Sequence, residues 1–163
     1  MLTNPKAVLC AVDLSPASER VLAHAVRLGR AFAVPVHVVH VEEPPSAIGR
    51  AEVARVLGIE GMRQHEAAVT QAQTAELEAC LERFTAAQLD GQAIGEVFAA
   101  WHVAYDRPAR AIIEAADRLD AGIIVAGTQG QGALEHLVAG SVARHLANHS
   151  PRPLLLVPLG ATS

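Results

Sequence analysis

Residues 123–157, IIVAGTQGQGALEHLVAGSVARHLANHSPRPLLLV, decide how this chain folds. A short, uninterrupted apolar run (122–126, GIIVA) meets a loop carrying Gly127, Gly130 and Gly132. A helical stretch broken by Gly140-Ser141 follows, and Leu154–Val157 forms a second apolar run. Runs this short with no polar alternation are what a parallel strand needs when both of its faces are covered. The segment therefore reads as strand, glycine-rich loop, helix start and final strand.

Working back toward the amino end, the same grammar repeats. Residues 7–12 (AVLCAV) form another continuous apolar run, ending at Asp13. Ser15-Pro16 then offers an N-cap serine with proline at the first helical position. Val21, Leu22, Ala25, Leu28 and Gly29 recur at helical spacing, and Ala33-Val34-Pro35 closes that helix. Residues 36–41 (VHVVHV) are a second strand, stopped by Glu42-Glu43-Pro44-Pro45. The stretch 46–61 reads as a surface insertion or lid. Residues 64–88, rich in Ala, Glu and Gln, carry a helical apolar face up to the break at Asp90-Gly91. Residues 93–103 have mixed strand character, and Pro108 opens a helix over 109–119.

Strands alternating with helices predict a single α/β domain over residues 1–163: a doubly wound, five-stranded parallel sheet of order 3-2-1-4-5 with helices on both faces. In such sheets ligands bind beyond the carboxyl ends of the strands, where the winding reverses. That point lies between the first and fourth strands, whose carboxyl ends are Asp13 and Gly127.

Composition narrows the function. The 163 residues carry a net charge of −4, with 51% hydrophobic and 18% charged positions, which excludes a disordered chain and an electrostatic binder of nucleic acid or anionic membrane. Five aromatics (Phe32, Phe84, Phe98, Trp101 and Tyr105) leave little for base stacking. No signal-peptide pattern or membrane-length apolar run is visible, and Cys10 and Cys80 have no metal or redox spacing. The expectation is a soluble protein of a reducing cytoplasm.

The glycines carry the chemistry. Gly127, Gly130 and Gly132 let backbone N–H groups converge on one concavity that suits an anion. Ten residues beyond Gly130, Gly140-Ser141 starts the helix Ser141–His149, aiming unpaired N–H groups and a positive dipole end at the same region. Asp13, at the switch point, is a candidate ligand for Mg²⁺. The eight histidines suggest zinc weakly: His145 and His149 lie four apart without a placed third ligand, and His37 and His40 fall on opposite strand faces.

The segment GTQGQGALEHLVAGSVARHLANHSPRPLLLVP resembles the universal stress protein family, whose nucleotide-binding members carry G-x2-G-x9-G-[ST], matched by Gly127, Gly130, Gly140 and Ser141. The likeness extends to AVLCAVDLSPASERVLAHAVRLG and VHVVHV. It implies an ATP-binding, cytoplasmic, dimeric stress-response protein. By position, it implies Asp13 near the adenosine and any bound metal, and Val41 bordering the adenine through its backbone. Gly127, Gly130, Gly140 and Ser141 fall at the ribose- and phosphate-binding positions, with Val142 adding an N–H. Two departures stand out. Gln129 occupies a position where many relatives are basic, and Tyr105-Asp106-Arg107-Pro108 replaces a glycine before the helix-opening proline.

Three functions compete. A non-catalytic nucleotide-binding regulator needs only the glycine frame. An ATP-using enzyme needs a charge clamp and a base, yet Lys6 is the only lysine and no HxGH or SGGxDS signature occurs. A phospho-accepting receiver would need a lysine after the last strand, where Val157-Pro158 stands. The first reading is preferred, with slow hydrolysis at most. The alternative is a nucleotide-free interaction module of the same fold. The last strand, at a sheet edge and apolar, is expected to pair with a second copy.

Overall fold

The computed structural model describes residues 5–129 and 139–159. Its strands are β1 (Val8–Val12), β2 (Val36–Glu42), β3 (Ala100–Tyr105), β4 (Ile123–Gly127) and β5 (Leu154–Val157). Every pairing is parallel, and the order is β3-β2-β1-β4-β5, as the sequence predicts. The helices are α1 (Ser18–Phe32), α2 (Ala47–Gln88), α3 (Ile94–Val97), α4 (Pro108–Arg118) and α5 (Ser141–His149).

Strand alternation divides the core in two. Val8, Cys10 and Val12 face a cluster built with Val21 and Leu22 of α1 and with Leu77, Leu81 and Phe84 of α2. Leu9 faces the other way, into a cluster with Ile112, Ala115 and Ala116 of α4 and Leu146 of α5. This two-sided burial explains why the central strands carry no polar alternation. Burial raises the thiol pKa of both Cys10 and Cys80, as expected of inert core cysteines.

Three local expectations are corrected. Ser15 does not cap α1: the helix begins at Ser18 after Ala17, and the serine hydroxyl instead donates to Asp13 Oδ1 at 2.7 Å. The stretch 93–103 is not one strand. Glu96 Oε2 accepts from the Ala93 N–H at 3.2 Å, which closes the short helix α3, and β3 starts only at Ala100. The second long helix begins at Ala47 rather than near residue 64, so 47–61 is helical apart from a kink at Gly58, where φ is 71° and ψ 174°. Ser46 caps it by accepting from the Gly49 N–H at 3.2 Å. Among the described residues, no helix is long and apolar enough to cross a membrane.

Candidate functional site

The sheet order places the carboxyl ends of β1 and β4 side by side, with Ala11 level with Ala126. Asp13 therefore follows β1 directly beside the loop that Gly127 opens. The Asp13 carboxylate is held firmly: its Oδ1 accepts from the Ser15 N–H at 3.0 Å, the Ser15 hydroxyl at 2.7 Å and the Ser18 hydroxyl at 2.9 Å. It ties the turn between β1 and α1 together, while no side chain caps α1 itself. Leu14 between them adopts a left-handed φ of 63°, a conformation costing a branched side chain roughly 1 kcal/mol or more. The Asp13 network and the core contacts of Leu14 hold it there.

Across the reversal, Thr128 ties three segments together. Its N–H donates to the Val157 carbonyl at 2.9 Å, its carbonyl accepts from the Gly140 N–H at 2.7 Å, and its hydroxyl accepts from the Leu159 N–H at 3.2 Å. The bond from Gly140 fixes the start of α5 against the loop after β4, although nine undescribed residues separate them in sequence. Nothing in the residue pattern singles out Thr128; its role appears only once β5 and α5 are placed.

The individual positions fall as follows. Gly127 packs so closely that a Cβ would stand 2.3 Å from Leu159 Cδ1, so this glycine already has a packing reason. Gly140 is the N-cap of α5 and Ser141 its first helical residue, and no side-chain cap bond forms. Ser141 is exposed, while Val142 is half-buried against the α4–α5 cluster. The first hydrogen bond of α5 runs from the Arg144 N–H to the Gly140 carbonyl at 3.0 Å, so the N–H groups before Arg144 have no partner within the helix. Val41 lies on β2 level with Ala104, one strand away from β1. Gln129 is half-buried immediately after Thr128. Gly130, with Gln131 and Gly132, lies outside the described residues.

The loop after β3, where the sequence departs from the family pattern, has its own anchor. Asp106 donates its N–H to the Glu42 carbonyl at 3.1 Å and accepts from the Arg107 N–H at 2.7 Å, with Arg110 bonded to its second oxygen. The Arg107 N–H, then Arg110, hold this carboxyl below its usual range. Its capacity is therefore spent on starting α4.

Sequence reasoning also missed His40. This side chain is buried, and its Nδ1 lies 2.9 Å from the Val12 carbonyl, the last residue of β1. The contact needs β1 and β2 in register, Val12 level with His40, which one strand alone cannot reveal. At the opposite end of the sheet, a groove of about 550 Å³ is lined by Val26, Arg30, Val36, Gln92, Glu96 and Phe98, among others. Arg30 donates to Gln92 at 3.1 Å across it, so two of its polar groups serve each other. Size alone does not move the site there.

A doubly wound parallel sheet, with an anchored acid on one side of the reversal and the loop after β4 tied to a helix start on the other, defines a Rossmann-like α/β domain. Residues 5–158 match the universal stress protein family, and the chain belongs to it. Among solved structures, it is similar to the hypothetical protein MJ0577, at 20% identity with a TM-score of 0.74, covering 99% of this chain and 100% of that one. It is also similar to the universal stress protein UspA from Lactobacillus plantarum, at 16% identity and TM-score 0.62, covering 96% and 99%. A universal stress protein solved in complex with cAMP is 19% identical with a TM-score of 0.62, covering 97% and 100%. At these identities the likeness speaks for the fold. No curated protein sequence matches the chain.

Proposed function

We propose that this universal stress protein holds an adenine nucleotide, ATP with Mg²⁺, in the cleft between Asp13 and the Gly127 loop, as a regulatory ligand rather than a substrate. The observation that carries this reading is the 2.7 Å bond from the Gly140 N–H to the Thr128 carbonyl, which draws the N-terminus of α5 to the switch point. N–H groups without a partner inside the helix and a positive dipole end suit a phosphate there. The family, and the relative solved with cAMP, favour an adenine nucleotide.

In this reading Gly127, Gly130, Gly140, Ser141 and the Val142 N–H cradle ribose and phosphates, and the Val41 backbone borders the adenine. Gln129 contributes a polar rather than a charged contact. One carboxylate together with phosphate oxygens is a donor set that Mg²⁺ accepts, and Asp13, already oriented by three hydrogen bonds to one oxygen, is the residue that would hold it. When bound, the ion would neutralise phosphate charge.

Retention is favoured over turnover. Lys6 pairs with Asp120 at 2.6 Å, at the amino end of the sheet, and so cannot clamp a γ-phosphate. The edge position of β5 supports a homodimer formed by antiparallel pairing of that strand with a second copy; light scattering at micromolar protein should give twice the chain mass. The nucleotide reading is tested by denaturing freshly purified protein and identifying released small molecules by mass spectrometry, with thermal shifts in millimolar ATP and Mg²⁺ alongside. A released adenine nucleotide and a raised Tm are expected. Neither appearing would leave the nucleotide-free interaction module.

A further inference from the structure

His40 and Glu42 alternate on β2 and share the face turned toward α1 and α2. A carbonyl can only accept, so the 2.9 Å contact with Val12 fixes the hydrogen of a neutral His40 ring on Nδ1. Nε2 then presents a lone pair. Among the described residues that atom, fully buried, has no hydrogen-bond partner, while the Glu42 Oε2 stands 3.7 Å away. A buried nitrogen lone pair and a half-exposed carboxylate oxygen thus face each other at the carboxyl end of β2.

The spacing selects what fits. At 3.7 Å the pair is too far apart for a direct hydrogen bond. It is also too close for a bridging water, whose two bonds would set nitrogen and oxygen about 4.6 Å apart. Two bonds of about 2.1 Å at a tetrahedral metal place its ligand atoms roughly 3.4 Å apart, within easy adjustment of the observed gap. Glu42 is half-exposed, at 36% for its side chain, so the carboxylate, unlike the imidazole nitrogen, reaches solvent. Imidazole with carboxylate suits zinc and its neighbours in the first transition row.

We propose that His40 Nε2 and Glu42 Oε2 are the protein ligands of a site for a first-row transition dication, with water completing the coordination. Among the described residues no group of three or more metal-ligating side chains converges, so this is an open two-residue site, weaker than a closed structural one. It uses neither Asp13 nor the glycine loop and stands independently of the nucleotide reading.

The test is titration of the full chain, without nucleotide, with Zn²⁺ by calorimetry and with Co²⁺ by visible absorption. The exposed pair His145 and His149, whose rings stack at 4.3 Å on α5, could chelate metal separately, so the titrations use a His145→Ala/His149→Ala background. One ion per chain is expected there, with Co²⁺ giving the strong absorption of a four-coordinate site. Glu42→Gln, a half-exposed change that spares the fold, should weaken binding about tenfold or more. Two results overturn the proposal: loss of all binding in the His145→Ala/His149→Ala background, or identical titrations with and without Glu42→Gln.

Discussion

The two ends of the sheet are finished in opposite ways. At the amino ends of β1, β4 and β5, charge closes the surface. Lys6 meets Asp120 at 2.6 Å, and Arg152 spans Asp117 and Asp120 at 3.1 and 3.0 Å. Pro5 packs against Gly122 beneath them. At the carboxyl ends, backbone groups and short polar side chains make the ties: Asp13 to Ser15 and Ser18, and Thr128 to Val157, Gly140 and Leu159. The first end satisfies its charges internally. The second holds a carboxylate and a helix start in place with hydrogen bonds, and it is the end where we propose a ligand binds.

The largest effect that would sharpen this contrast is at Gly122. A Cβ there would lie 2.3 Å from Pro5 Cβ and 2.5 Å from its backbone Cα, so Gly122→Ala should cost about 1–3 kcal/mol in chemical denaturation. Nucleotide affinity should not change; a parallel loss would mean that the two ends are coupled. Asp13→Ala comes next. It removes the anchor of the β1–α1 turn, a loss of about 0.5–2 kcal/mol on the scale of a helix cap, and unlike Gly122→Ala it should abolish nucleotide-dependent thermal shifts.

A smaller effect follows from the two histidines on the face opposite His40. Burial lowers the pKa of His37, and burial, Arg118 and His37 together lower that of His102. Below about pH 6.5 the unfolded chain binds protons that the folded one resists. Their contribution to stability is therefore full above that pH and lost as the pH falls toward the depressed folded values. Urea midpoints should decline between pH 7 and 5, and the decline should shrink in His102→Gln. The smallest effect is at the closed end: Lys6→Ala removes an exposed ion pair, 77% and 52% exposed on its two sides, and should leave Tm unchanged within error at high salt.

What was legible follows from where each signal resides. β1, β4 and β5 could be read because burial on both faces forces continuous apolar runs, and order 3-2-1-4-5 follows from the alternation with helices. β3 was blurred because it is an edge strand with no fully buried position, and because Glu96 serves a helical turn just before it. The start of α2 was hidden because its first segment leaves Ile48, Val56, Leu57 and Ile59 exposed, so no apolar stripe marks a core-facing side. At the proposed site, Asp13 and the glycines are nominated by residue type. The ties of Thr128 and the unpartnered nitrogen of His40 depend on neighbours distant in sequence, which only the assembled sheet brings near.

The central claim, that the carboxyl ends of β1 and β4 hold a nucleotide, is tested most directly by calorimetric titration of MgATP into the wild-type chain, Asp13→Ala and Lys6→Ala in parallel. The account predicts saturable binding of one nucleotide per chain in the wild type and in Lys6→Ala, and none in a folded Asp13→Ala. Absence of heat in the wild type at millimolar nucleotide, or undiminished binding in Asp13→Ala, would contradict it.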